Sequence, residues 1–179
     1  MSIPENQLVA RLAAHTAQSL GTPPATVKQI RIAAALHDIG KRKIPHSILL
    51  KPGPLTPDEF EIMKTHTTLG AEMITATDSG GLNDMVRTVC LYHHEWHDGT
   101  GSYWGKRSDE LPLFVPIVSI CDVFVALTAA RCYKAAWPPD EALDYICGKS
   151  GTQFDPVLAD AFVWLVLHDP KVKKLFFSR

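Results

Sequence analysis

Asp122 stands inside the most apolar run of the chain, LPLFVPIVSICDVFVAL, between Cys121 and Val123. A carboxylate on such a helix costs several kcal/mol unless it is paired or bound to a cation. The rest of the fold must therefore bring a partner to it. Candidates recur at a fixed interval: Asp38, His66, His94 and Asp122 are each 28 residues apart. One helix plus one loop fills such an interval, so successive helices can each deliver one polar group to a shared centre. His37 and His93 adjoin two of these positions and widen the set to four imidazoles and two carboxylates.

The hydrophobic spacing around these residues is helical nearly throughout, and no segment alternates as a strand would. Ser2 and Glu5 read as a capping box with Pro4 in the first turn, followed by Leu8, Leu12, His15 and Leu20 and a stop at Gly21. A second helix is predicted over residues 24–38. Residues 39–57, IGKRKIPHSILLKPGPLTP, form a long connection with at most a short helical piece. Thr56-Pro57-Asp58-Glu59 opens a third helix that continues through His66 to Ile74. A fourth is predicted over residues 82–95 and a fifth over 113–130, with a loop at 96–112 between them. A sixth starts at Pro138-Pro139-Asp140-Glu141, and a seventh runs from Asp155-Pro156 to His168. The expected fold is all-α, a bundle of about seven helices in a single domain spanning 1–179.

Composition narrows the function. Hydrophobic residues make up 46%, charged residues 21%, and the net charge is −1, so no basic footprint for a DNA or RNA polymer is present. The N-terminal MSIPENQLVARLAAH has neither a signal-peptide core nor a membrane span, which points to the cytoplasm. Cys90, Cys121, Cys132 and Cys147 form no CxxC pair and sit in apolar surroundings, as reduced core residues do. Four imidazoles and two carboxylates exceed one tetrahedral site and suit two divalent ions. Ions roughly 3.5–4 Å apart can share a bridging water, an arrangement suited to hydrolysing a phosphate ester.

Several motifs together carry a family resemblance: HDIGK (37–41), ILLKPGPLTPDEFEIMKTHTTLGAE (48–72), HHE (93–95), DGTG (98–101), DVF and ALT (122–128), R-x-YKAAW (131–137) and GTQFDP (151–156). At these residues the chain resembles the HD-GYP family, a branch of the HD superfamily of metal-dependent phosphohydrolases. The resemblance implies an HD-domain helical bundle that hydrolyses cyclic di-GMP to pGpG or GMP at a centre of two or three divalent ions, iron or manganese. It implies metal ligation by His37, Asp38, His66, His93, His94 and Asp122. Lys41 would meet the scissile phosphate beside the metals and Asp38. Arg131 and Lys134 would bind the phosphates of the dinucleotide.

The chain departs from that pattern in three places. Glu5 stands near the position of a further ligand histidine on the first helix, and either ligates an ion or completes the Ser2 capping box. Gly101 is followed by Ser102 and Tyr103 without a proline, so the GYP tripeptide is absent. Asp122-Val123-Phe124-Val125 lacks the second carboxylate of the family's D-x-x-D. His97 inherits no role and reads as a surface-loop histidine. Glu95 and Asp98 are expected to brace the ligands and loop through hydrogen bonds. Two further readings follow from the departures: a module that binds cyclic di-GMP or a diguanylate cyclase domain without turnover, and an HD phosphohydrolase acting on another nucleotide.

Overall fold

Proline sets the start of many of the helices, because its missing N–H and fixed φ suit the first turn. The computed structural model describes residues 3–75, 81–101, 103–130 and 135–177. In chain order the helices are α1 (Glu5–Ser19), α2 (Pro24–Leu36), α3 (His46–Leu49), α4 (Pro57–Lys64), α5 (His66–Met73), α6 (Leu82–Tyr92), α7 (Phe114–Thr128), α8 (Pro139–Gly148), α9 (Pro156–His168) and α10 (Pro170–Phe176). Short 3-10 turns cover Ile39–Lys43 and Ser108–Glu110. Among the described residues there is no strand, only an isolated bridge between Ser150 and Phe154. The expected all-α architecture is borne out.

α1 is the central strut, packed against α2, α7 and α9, while α5 lies on α6 and on the Ile39–Lys43 turn. Small residues allow the close approach: Ala13, Ala17, Ala33 and Ala34 are wholly buried. Larger side chains fill the remaining space, with Phe124 of α7 set edge-on to Phe162 of α9 and Phe176 of α10 at 5.5 and 5.0 Å between ring centres. Cys90 and Cys121 are buried as expected, but Cys147 is exposed.

Three elements differ from the sequence pattern. The helix expected from Thr56 to Ile74 is broken between α4 and α5 at Thr65. There the side chains of Thr65, His66, Thr67 and Thr68 bond the carbonyls of Ile62, Met63, Lys64 and Thr65, each three residues back. This run of local side-chain bonds competes with the helical ladder and turns the chain. At the N-terminus α1 starts at Glu5 with Pro4 as its cap and no side-chain cap bond, so Glu5 does not occupy the third position that a capping box requires; Ser2 lies outside the described residues. Finally, α10 adds a helix after His168, started by Asp169, whose carboxylate accepts from the N–H groups of Lys171 and Val172.

Candidate metal centre

The helix ends explain how the histidines are aimed. α2 stops at Leu36 and α6 at Tyr92, so His37 and His93 sit at C-caps rather than within helices, and His66 opens α5 one residue past the Thr65 cap of α4. A helix leaves its last-turn carbonyls without partners. The imidazoles take them up: His37 Nδ1 bonds Ala34 O at 2.7 Å, and His66 Nδ1 bonds Met63 O at 2.6 Å. His93 Nδ1 bonds Val89 O and Cys90 O at 3.0 and 3.1 Å. A carbonyl only accepts, so each Nδ1 carries the proton, and the Nε2 of a neutral ring presents a lone pair inward.

Those Nε2 atoms converge on one carboxylate. Asp38 Oδ1 lies 3.3 Å from His66 Nε2 and 3.7 Å from His93 Nε2. Asp38 Oδ2 lies 3.2 Å from His37 Nε2 and 2.5 Å from Lys41 Nζ. Asp122 Oδ1, from the middle of α7, stands 3.3 Å from His37 Nε2. Two donor groups result: Asp38 with His66, His93 and His94, and His37 with His93 and Asp122, their ligand atoms within 4.8 Å of one another in each group. The six residues expected from the sequence as ligands are thus brought together. Glu5 lines the same cleft of about 360 Å³, together with His37, Asp38, Lys41, His94 and Asp122.

The close packing of the Ile39–Lys43 turn on α5 places Asp38 against His66. A Cβ at Gly40 would come within 1.9 Å of His66 O and 2.5 Å of Gly70 N, so this approach needs glycine. No local pattern marked Gly40 for that role.

Burial sets the charges in the metal-free protein. It pushes His94 down to about 4 and, with His94 and His37 nearby, holds His93 well below its usual value; His66 is lowered by the same cause. Burial also acts to lower His37, but Asp122 and Asp38 outweigh it and lift His37 to about 10. Against burial, His37 in turn holds both carboxylates below their ordinary range. The buried atoms His66 Nε2, His93 Nε2 and Asp38 Oδ1 have no hydrogen-bond partner. These are the atoms a cation satisfies, and imidazole with carboxylate is a donor set that suits a divalent metal.

The HHE segment is anchored by its third residue. Glu95, 5% exposed, accepts from the backbone N–H of Trp104 at 2.6 Å and of Lys106 at 2.7 Å. Asp98 turns the loop by accepting from the N–H and hydroxyl of Thr100. The GTQFDP segment then clamps it: the N–H groups of His97 and Asp98 donate to Gln153 O and Thr152 O, both at 3.0 Å. His97 belongs to neither donor group; it is a half-buried loop histidine with Nδ1 3.7 Å from Asp155 Oδ2. Tyr103, in place of the missing tripeptide, stacks on His94 at 4.6 Å between ring centres. Arg131 and Lys134 lie outside the described residues.

The HD domain family matches residues 1–158. The chain belongs to the HD domain family. HD-domain chemistry rests on divalent metal, which agrees with the clustered donors. Among curated relatives, the cyclic di-GMP phosphodiesterase response regulator RpfG of Xanthomonas campestris pv. campestris is 42% identical over 158 residues, covering 87% of this chain and 41% of the relative. A cyclic di-GMP phosphodiesterase of Thermotoga maritima is 41% identical over 157 residues, covering 88% of this chain and 42% of the relative. The chain thus spans about two fifths of the length of these relatives. The HDG"Y"P protein Bd1817 of Bdellovibrio bacteriovorus shares the fold, with a TM-score of 0.71 and 20% identity over 91% of this chain and 51% of that one. The resemblance to the HD-GYP branch is borne out.

Proposed function

We propose that the chain is a metal-dependent phosphodiesterase that hydrolyses cyclic di-GMP to pGpG or GMP, with residues 1–179 as one catalytic domain. The observation that carries this reading is the facing of two buried acceptors, His66 Nε2 and Asp38 Oδ1, at 3.3 Å beside an open cleft. The names of the relatives support the substrate.

In this reading His66, His93, His94 and Asp38 would hold one divalent ion, and His37 and Asp122 would hold another, with His93 and the second oxygen of Asp38 beside them. Iron or manganese suits that mixed donor set. Glu5, on the wall of the same cleft, is the proposed further ligand. Such ions supply Lewis acidity, which makes water nucleophilic at neutral pH and offsets charge on phosphoryl oxygens. Lys41 contacts Asp38 Oδ2 and lines the cleft, which supports a role for its ammonium in binding a non-bridging oxygen of the scissile phosphate. Arg131 and Lys134 are proposed, on the resemblance alone, to anchor the other phosphate. A diguanylate cyclase domain is the protein partner in the alternative reading, a module without turnover. Among the described residues no helix is long and apolar enough to cross a membrane.

The test is direct. Protein loaded with iron or manganese is incubated with cyclic di-GMP, and the products are resolved by chromatography. Linear pGpG or GMP is expected. Intact substrate, under conditions where another member of the HD-GYP branch turns it over, defeats the reading.

A further inference from the structure

A second hollow adjoins the centre and is not used by the metal ligands. It has a volume of about 200 Å³ and is walled by Glu61, Lys64, Thr65, Thr67, Thr68, Tyr103 and Trp104. Tyr103 connects it to the chemistry, because the ring that lines this hollow also stacks on His94 at 4.6 Å. Trp104 is the unusual member. Its indole Nε1–H donates to Leu91 O in the last turn of α6 at 3.1 Å, and its own N–H is held by Glu95 at 2.6 Å. The side chain is therefore fixed at both ends, yet it remains 53% exposed. An indole normally hides its large apolar face once its N–H is satisfied. Here the hydrogen bonds hold that face open beside the hollow.

We infer that Tyr103 and Trp104 form a stacking subsite for a purine base of the bound dinucleotide, one base away from the phosphate at the metal centre. Base–aromatic stacking tolerates any base and needs only a rigid ring whose face is open to a cleft. The threonine hydroxyls that line the hollow donate their protons to the Ile62, Lys64 and Thr65 carbonyls, leaving oxygen lone pairs for base amino groups. The inference rests on the proposed dinucleotide substrate. It also assigns a purpose to the loop where Ser102-Tyr103-Trp104 replaces the family tripeptide.

The test uses metal-loaded full chain and Trp104→Ala and Trp104→Phe variants. Two diesters are compared: cyclic di-GMP, and methyl p-nitrophenyl phosphate, whose single ring is the leaving group. The ratio of kcat/KM for the first over the second is expected to fall about tenfold in Trp104→Ala through a raised KM, and to recover to within about threefold in Trp104→Phe. An equal loss on both substrates, or a loss in kcat alone, overturns the subsite and makes Trp104 a loop prop. A parent protein that cleaves only the small diester defeats the proposed substrate instead. The subsite is then judged by GMP quenching of tryptophan emission: a saturable quench absent from Trp104→Phe supports it, and an identical quench in both proteins overturns it.

Discussion

His66 Nε2 and Asp38 Oδ1 face each other at 3.3 Å with no proton between them. The His66 proton is committed to Met63 O on the far side of the ring. Two lone pairs in a buried space repel, and a cation between them reverses the sign of that interaction. Because Asp38 turns its other oxygen to His37, its carboxylate reaches from its own donor group to a member of the other. Asp38→Ala is therefore expected to lose both ions, whereas His66→Ala and Asp122→Ala each lose about one equivalent. Elemental analysis of the purified variants distinguishes these outcomes; equal metal content in all of them contradicts a bridging carboxylate.

Gly40→Ala is expected to destabilise the protein by about 3 kcal/mol, since the new methyl group meets backbone at His66 and Gly70 rather than a flexible side chain. It also pushes Asp38 away from His66, so metal content falls with stability. Gly148→Ala is the matched control. Nothing lies within 4 Å of its added Cβ, and it is expected to be neutral or stabilising by under about 1 kcal/mol. Urea denaturation of both variants checks the contrast.

Glu95→Gln removes the charge from two backbone hydrogen bonds and turns an amide donor toward one of the donors it served. A cost of about 1.5–3 kcal/mol is expected. The loop should open before the bundle does, so limited proteolysis within residues 96–107 should precede global unfolding by heat. Simultaneous loss of both would show that Glu95 serves the core instead.

The pH dependence of the metal-free protein follows from its histidines. As pH falls from 6.5 toward 4, the unfolded chain takes up protons on His66, His93 and His94 that the native protein refuses, so stability drops. As pH rises from 6.5 toward 10, the native protein retains on His37 a proton that the unfolded chain has lost, and stability drops again. The melting temperature in chelator should peak near pH 6.5 and fall by about 5 °C or more on either flank. A metal ion displaces the His37 proton, so loading should flatten the alkaline flank. A monotonic profile in chelator contradicts the opposed shifts.

Much of the centre was legible because its evidence is local. Asp122 is visibly misplaced in an apolar helix, and the HD and HH pairs sit where apolar periodicity stops. The break before His66 was legible in principle: hydroxyls and an imidazole at four successive positions, KTHTT, can each take a carbonyl three residues back. α10 carried the same Asp-Pro start that revealed α9. Gly40 and the GTQFDP segment were a different matter. Gly40 matters through contact with His66, far along the chain, and Thr152 and Gln153 matter through backbone carbonyls that any residue possesses. Such roles exist only once helices are packed.

Three ligands, His37, His66 and His93, come from the ends of helices, where α2, α4 and α6 hand their last carbonyls to the imidazole rings. The centre is thus also a joint, and ion binding tightens three helix ends to α7 at once. Free energy gained from metal by the folded protein, less whatever the unfolded chain gains, appears as resistance to unfolding. A cell short of the metal should lose the polypeptide to proteolysis as well as its turnover, so supply of the ion sets how much of this protein persists.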